Sequence, residues 1–78
     1  MAYTKQHPFD EAVIDNINAY IVENGLSHVK IARAAGLSYQ QLHQIRHKNR
    51  RLKLAEYVQL CRAFDEPLER FICGESIK

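Results

Sequence analysis

Gly25-Leu26-Ser27 and Gly36-Leu37-Ser38 constrain this chain more than any other feature. Glycine takes the left-handed conformation that stops a helix. Two residues later, serine offers the hydroxyl that caps the next helix. Each tripeptide is therefore a stop followed by a start, and the segment 28–35 between them has room for about two helical turns. The second start is reinforced, because Ser38-x-x-Gln41 fits a capping box in which the Gln41 side chain returns to the cap's N–H.

The rest of the chain supplies helices on either side of this short one. Helix one is predicted over 8–23, with Pro8 at its first position and Asp10 and Glu11 in the first turn, where acids complement the positive helix end. Val13, Ile14, Ile17, Tyr20 and Ile21 recur at three and four and form one apolar stripe. Helix two (28–35) turns Ile31, Ala32 and Ala35 inward, and Leu37 follows as a buried anchor. Helix three (38–47, counted from its cap) turns Leu42 and Ile45 inward. A loop Lys48-Asn49-Arg50-Arg51 follows, then helix four over 53–64 with Leu54, Tyr57, Val58, Cys61 and Phe64 as candidate core. Pro67 opens a short fifth helix carrying Leu68, Phe71 and Ile72, and Gly74 ends it. No alternating β-branched run suggests a strand. The fold class expected is all-α, one compact five-helix domain over 1–78, with 1–7 a flexible arm and 74–78 a flexible tail.

Size and charge narrow the function. A chain of 78 residues buries a small core and leaves little room for a catalytic cleft. Its net charge of +2 is a cancellation. Residues 1–27 carry net −3, residues 28–62 carry eight bases against the single acid Glu56, and residues 63–78 carry net −2. No acidic side chain occurs in the 32 residues between Glu23 and Glu56. A basic middle between acidic flanks is the footprint of a polyanion-binding face. No stretch approaches the roughly 18 apolar residues of a membrane span. Met1-Ala2-Tyr3-Thr4-Lys5 leads into no apolar run, so no signal peptide is expected. Cys61 and Cys73, twelve apart, form no disulfide or metal framework and are expected as thiols in a reducing cytoplasm.

The spacing across helices two and three is that of a helix-turn-helix. Two helices crossing at about 90–120° need a small residue in the first and a glycine in the turn. The second then needs an apolar inner face. Ala32, Gly36, Leu42 and Ile45 meet these needs, although a generic helix hairpin would too. Gly25-Leu26-Ser27, Ile31-Ala32, Gly36-Leu37-Ser38, Leu42 and Ile45, followed by Leu60-Cys61-Arg62-Ala63-Phe64 and Pro67-Leu68-Glu69-Arg70-Phe71-Ile72, resemble the Cro/phage-repressor (Xre-like) helix-turn-helix family over about residues 9–73. The resemblance implies a lambda-repressor-like DNA-binding domain of phage or bacterial type. It implies a transcriptional regulator, a repressor in most readings, that binds a double-stranded operator as a homodimer. Several positions depart from the family pattern, among them Leu52-Lys53 in place of the usual Pro-Ser. His28 stands where Gln is usual. Ile21 and Arg46 stand where an Arg–Glu ion pair usually joins helices one and three. Lys48-Asn49 replaces the usual glycine after helix three, with Asn49 the residue expected to turn left-handed.

With Leu42 and Ile45 inward, Tyr39, Gln40, His43, Gln44 and His47 point outward. By the resemblance, helix three is the major-groove recognition helix and the base-reading positions are Tyr39, Gln40, His43 and Gln44. Glutamine bonds adenine N6 and N7 together, histidine donates to guanine N7 or O6, and tyrosine packs on a thymine methyl. Gln41 is assigned to the cap. Phosphate contacts are expected from His28, Ser38, His47, Lys48, Asn49, Arg50, Arg51 and Lys53. Lys30 and Arg33 read equally well as plain surface.

Other classes have less support. His43-x-x-x-His47 has zinc-site spacing, but Gln44 replaces the Glu of a metallopeptidase and no third ligand is evident, so no metal is expected. No cofactor, small-molecule ligand or enzymatic activity is expected. The alternative is a protein-interaction or antitoxin-like module of the same fold, with Phe71, Ile72 and Cys73 forming an interface. Those residues equally suit closing the core over helix one.

Overall fold

A computed structural model describes residues 8–72. The expected arm 1–7, the tail 74–78 and Cys73 lie outside the described residues. Four α-helices follow in order: α1 (Pro8–Glu23), α2 (His28–Ala35), α3 (Tyr39–Arg46) and α4 (Leu54–Phe64). A single 3-10 turn, Leu68–Arg70, comes after them. No strand occurs among the described residues. Helix α2 packs on both α3 and α4, and α1 packs on α3.

The stops and starts act locally as their chemistry dictates. Gly25 and Gly36 are left-handed, with φ of 59° and 74°. The Ser27 hydroxyl accepts from the Lys30 N–H. At α3 the capping box is reciprocal: the Gln41 N–H donates to Ser38 Oγ at 3.0 Å, and the Ser38 N–H donates to Gln41 Oε1 at 2.9 Å. A Cβ on Gly36 would come no closer than 3.9 Å to Gln59 Nε2, so glycine is required there for its backbone angle and not for space.

The core is the predicted one on α1, α2 and α3. Val13, Ile14, Ile17, Ile21, Ile31, Ala32, Ala35, Leu42 and Ile45 are all buried. Tyr20 and Leu37 are half-buried. On α4 the apolar face is rotated from the expected one. Leu54 is 78% exposed and Val58 only half-buried, while Leu60 is fully buried beside Tyr57, Cys61 and Phe64. Glu56 lies on the buried side of this helix. Its Oε1 accepts from the Lys53 N–H at 3.1 Å, and its Oε2 meets Arg50 Nη2 at 2.9 Å, so its charge is paired there. Lys53 is the cap residue of α4, not part of it.

The fifth helix is replaced by the 3-10 turn. Tyr57 OH donates to the Leu68 carbonyl, which is thereby engaged by a side chain from α4. The Asn16 side-chain amide donates to the Phe71 carbonyl at 2.8 Å. Leu68 is half exposed, and Phe71 drops into the core at 1% exposure. Its ring meets Tyr20 at 5.4 Å and Phe64 at 5.7 Å, both edge-on. Such ring pairs are worth about 0.5–1.5 kcal/mol beyond the area they bury. Phe71 therefore closes the core over helix one and offers no surface to a partner.

The end of α3 also differs from expectation. Lys48, not Asn49, is left-handed, with φ 62°. The Asn49 N–H then closes back on the Gln44 carbonyl at 2.8 Å, and the Lys48 N–H on Ile45. This closure requires the left-handed residue one position earlier. No helix of the described residues is long and apolar enough to cross a membrane.

Candidate nucleic-acid interface

Helix α3 stands on three supports. Leu42 and Ile45 enter the core behind it, and its first turn is locked by the Ser38–Gln41 box. Its last turn is locked by Arg46. Arg46 Nε donates to Asn18 Oδ1 at 2.7 Å, and Asn18 Nδ2 donates back to the Arg46 carbonyl at 3.0 Å. Arg46 Nη1 lies 2.8 Å from His28 Nε2 and 3.2 Å from Nδ1. One side chain thus joins α3 to α1 and to the start of α2. Sequence reasoning noted Arg46 only as a departure. Its partner Asn18 is 28 residues away, so no local pattern flags it.

What these supports present is a row of polar and aromatic side chains. Tyr39, Gln40, His43 and His47 are exposed and Gln44 is half-buried. The rings of Tyr39 and His43 stack with centroids 6.2 Å apart, and those of His43 and His47 lie 4.2 Å apart. Tyr39, Gln40 and His43 line a shallow groove. Gln41 is occupied by its cap.

The basic side chains beside this row fall into two kinds. Arg51 and Lys53 are exposed, with no carboxylate in ion-pair range among the described residues. Lys48 and Arg50 are held by acids. Lys48 Nζ is 2.8 Å from Asp15 Oδ1, and that bond, with Asp15 and Glu11 charge, raises its pKa against the opposing effect of burial. Arg50 is 23% exposed and bound to the nearly buried Glu56. Sequence reasoning missed Glu56 as a partner, although its isolation in a basic segment was a signal. Ser38 and Asn49 are exposed at the two ends of α3. His28 is half-buried, and its pKa is held down by burial first, then by Arg46 and His43. Among the described residues no three His, Cys, Asp or Glu side chains converge as for a metal.

No protein-family model matches the chain. No curated protein matches it either. A solved structure does: the crystal structure of the clp gene regulator ClgR from C. glutamicum superposes with a TM-score of 0.76 over 87% of this chain and 88% of that one, at 13% identity. At that identity the likeness establishes a shared all-helical fold, here with four α-helices.

Proposed function

We propose that the chain is a sequence-specific double-stranded DNA-binding transcriptional regulator, acting as a repressor, with α3 as its major-groove recognition helix. The observation that carries this reading is the row of exposed Tyr39, Gln40 and His43 with half-buried Gln44 on a helix pinned at both ends, flanked by exposed Arg51 and Lys53. A helix that reads base edges must be rigid and must be framed by phosphate contacts. In this reading Tyr39, Gln40, His43 and Gln44 contact bases. His28, Ser38, His47, Lys48, Asn49, Arg51 and Lys53 contact the backbone, and Arg50 is divided between the backbone and Glu56. The regulator acts as a homodimer, which sets two recognition helices about 34 Å apart on a palindromic site. Likeness of fold to a gene regulator supports the reading. It involves no catalytic step and no cofactor.

A second reading, a protein-docking module of the same fold, is favoured by the exposed side chains of Val22, Val29 and Leu54. Selection of bound sequences from a pool of random duplex DNA tests the first. An enriched half-site repeated at one helical turn supports it. No enrichment, with no salt-dependent affinity for any duplex, leaves the docking module.

A further inference from the structure

His28 and Arg46 meet in the crevice between the start of α2 and the end of α3, which Tyr39, Leu42 and His43 also line. The Arg46 guanidinium is a donor only. Nη1 lies 2.8 Å from His28 Nε2 and 3.2 Å from Nδ1, so it packs against the ring near both nitrogens and not on the axis of one lone pair, and a protonated imidazole there would face the guanidinium charge directly. The charged and titratable groups that bear on His28 are Arg46 and His43, both on α3. Helix α1 contributes the neutral amide of Asn18 at the far side of the guanidinium. No carboxylate bonds to either His28 or Arg46 among the described residues.

Two donor-capable groups packed together with no anion between them make an incomplete arrangement. A phosphate oxygen completes it. We propose that His28 and Arg46 together clamp one backbone phosphate of duplex DNA, and that His28 takes up a proton from solvent as they do so. In the free protein Nη1 packs against the imidazole. On docking, Nη1 turns to a phosphate oxygen, a ring nitrogen of His28 takes a proton from solvent, and His28 becomes a second donor to the same phosphate. Asn18 keeps its bond to Nε throughout, so α3 stays anchored while the other end of the guanidinium changes partner. Burial first and the charges of Arg46 and His43 next hold His28 down in the free state, and the negative charge of a phosphate set between the two groups outweighs them. Affinity for DNA therefore rises as pH falls. The inference rests on the DNA-binding reading and adds Arg46 to its contact set.

The test follows the His28 ring signal by NMR through a pH titration of the whole protein, alone and with a mixed-sequence duplex of about two helical turns at low salt. The expected result is a midpoint below the ordinary value of 6.5 when free and above it when bound. Each unit of upward movement corresponds to about a tenfold gain in affinity between high and low pH. Calorimetry in buffers of different ionisation enthalpy measures the same uptake, and His28→Gln removes it. A His28 midpoint that does not move on adding duplex, or an uptake equal in wild type and His28→Gln, overturns the inference while leaving DNA binding intact. Absence of salt-dependent binding to duplex at every pH overturns the DNA-binding reading itself.

Discussion

Replacing Glu56 by glutamine is expected to weaken the fold and strengthen DNA binding at once. Glu56 is nearly buried and makes two bonds, one to the Lys53 N–H and one to Arg50. Glutamine keeps an oxygen for the cap but loses the charge that holds Arg50. A hydrogen bond to a charged group is worth about 1.5–3 kcal/mol, and the lower end applies because Arg50, 23% exposed, regains some hydration. Glu56→Ala loses the cap as well and costs about 1 kcal/mol more. In a domain this small either loss is a large share of total stability. On the DNA side, removal of one carboxylate raises the net charge from +2 by one and takes away the acid that holds Arg50 in the basic loop. One additional phosphate contact steepens the dependence of log affinity on log salt by about 0.9. Equilibrium urea unfolding near neutral pH measures the first effect, and anisotropy of a labelled duplex across a salt series measures the second. Unchanged stability in Glu56→Gln refutes the burial argument. An unchanged or shallower salt slope refutes the idea that Glu56 withholds Arg50 from the backbone.

Three further outcomes are expected. Arg51→Ala should weaken binding to all sequences and flatten the salt slope by about 0.9, whereas Gln40→Ala should keep the slope and lose about 1–3 kcal/mol of preference at one base pair, as read by competition with substituted duplexes. Phe71→Ala should cost about 3–5 kcal/mol in urea unfolding, because the ring is enclosed by Tyr20, Tyr57 and Phe64 and leaves a cavity. The free protein should lose stability as pH falls below about 6.5: His28 is held below that value in the fold, so the unfolded chain binds the proton first, and thermal melts of His28→Gln should show a flatter pH profile. The stability and DNA-binding slopes against pH thus have opposite signs.

What could be read from the sequence was what depends on neighbours three or four residues away. Ser27, the Ser38–Gln41 box and Gly36 behave as predicted because a cap or a stop is decided by the adjacent turn. The inner faces of α1, α2 and α3 followed from periodicity for the same reason. The left-handed residue after α3 was misplaced by one, and the other misreadings involve partners beyond the adjacent turn. Leu54 and Val58 continue a plausible apolar stripe, but α4 buries Leu60 and the Glu56 that pairs with Arg50 instead. A helix from Pro67 is plausible until Tyr57 engages the Leu68 carbonyl. On α3 the outward row was legible once Leu42 and Ile45 were placed, while the part played by Arg46 depends on Asn18 and His28 in two other helices.

The bond from Asn16 to the Phe71 carbonyl spans 55 residues and bears on how the protein is made. A chain emerges from the ribosome N-terminus first. Helices α2 and α3, separated by a short turn, can meet as soon as both have emerged. Tyr20, Tyr57 and Phe64 must wait for the ring that covers them. Until residue 71 clears the exit tunnel, the nascent chain carries an aromatic face open to water, a surface of the kind chaperones exist to shield. Synthesis and folding are therefore out of step. The helix facing the groove forms early, and the body that keeps it rigid is completed only after nearly all of the described chain has been translated.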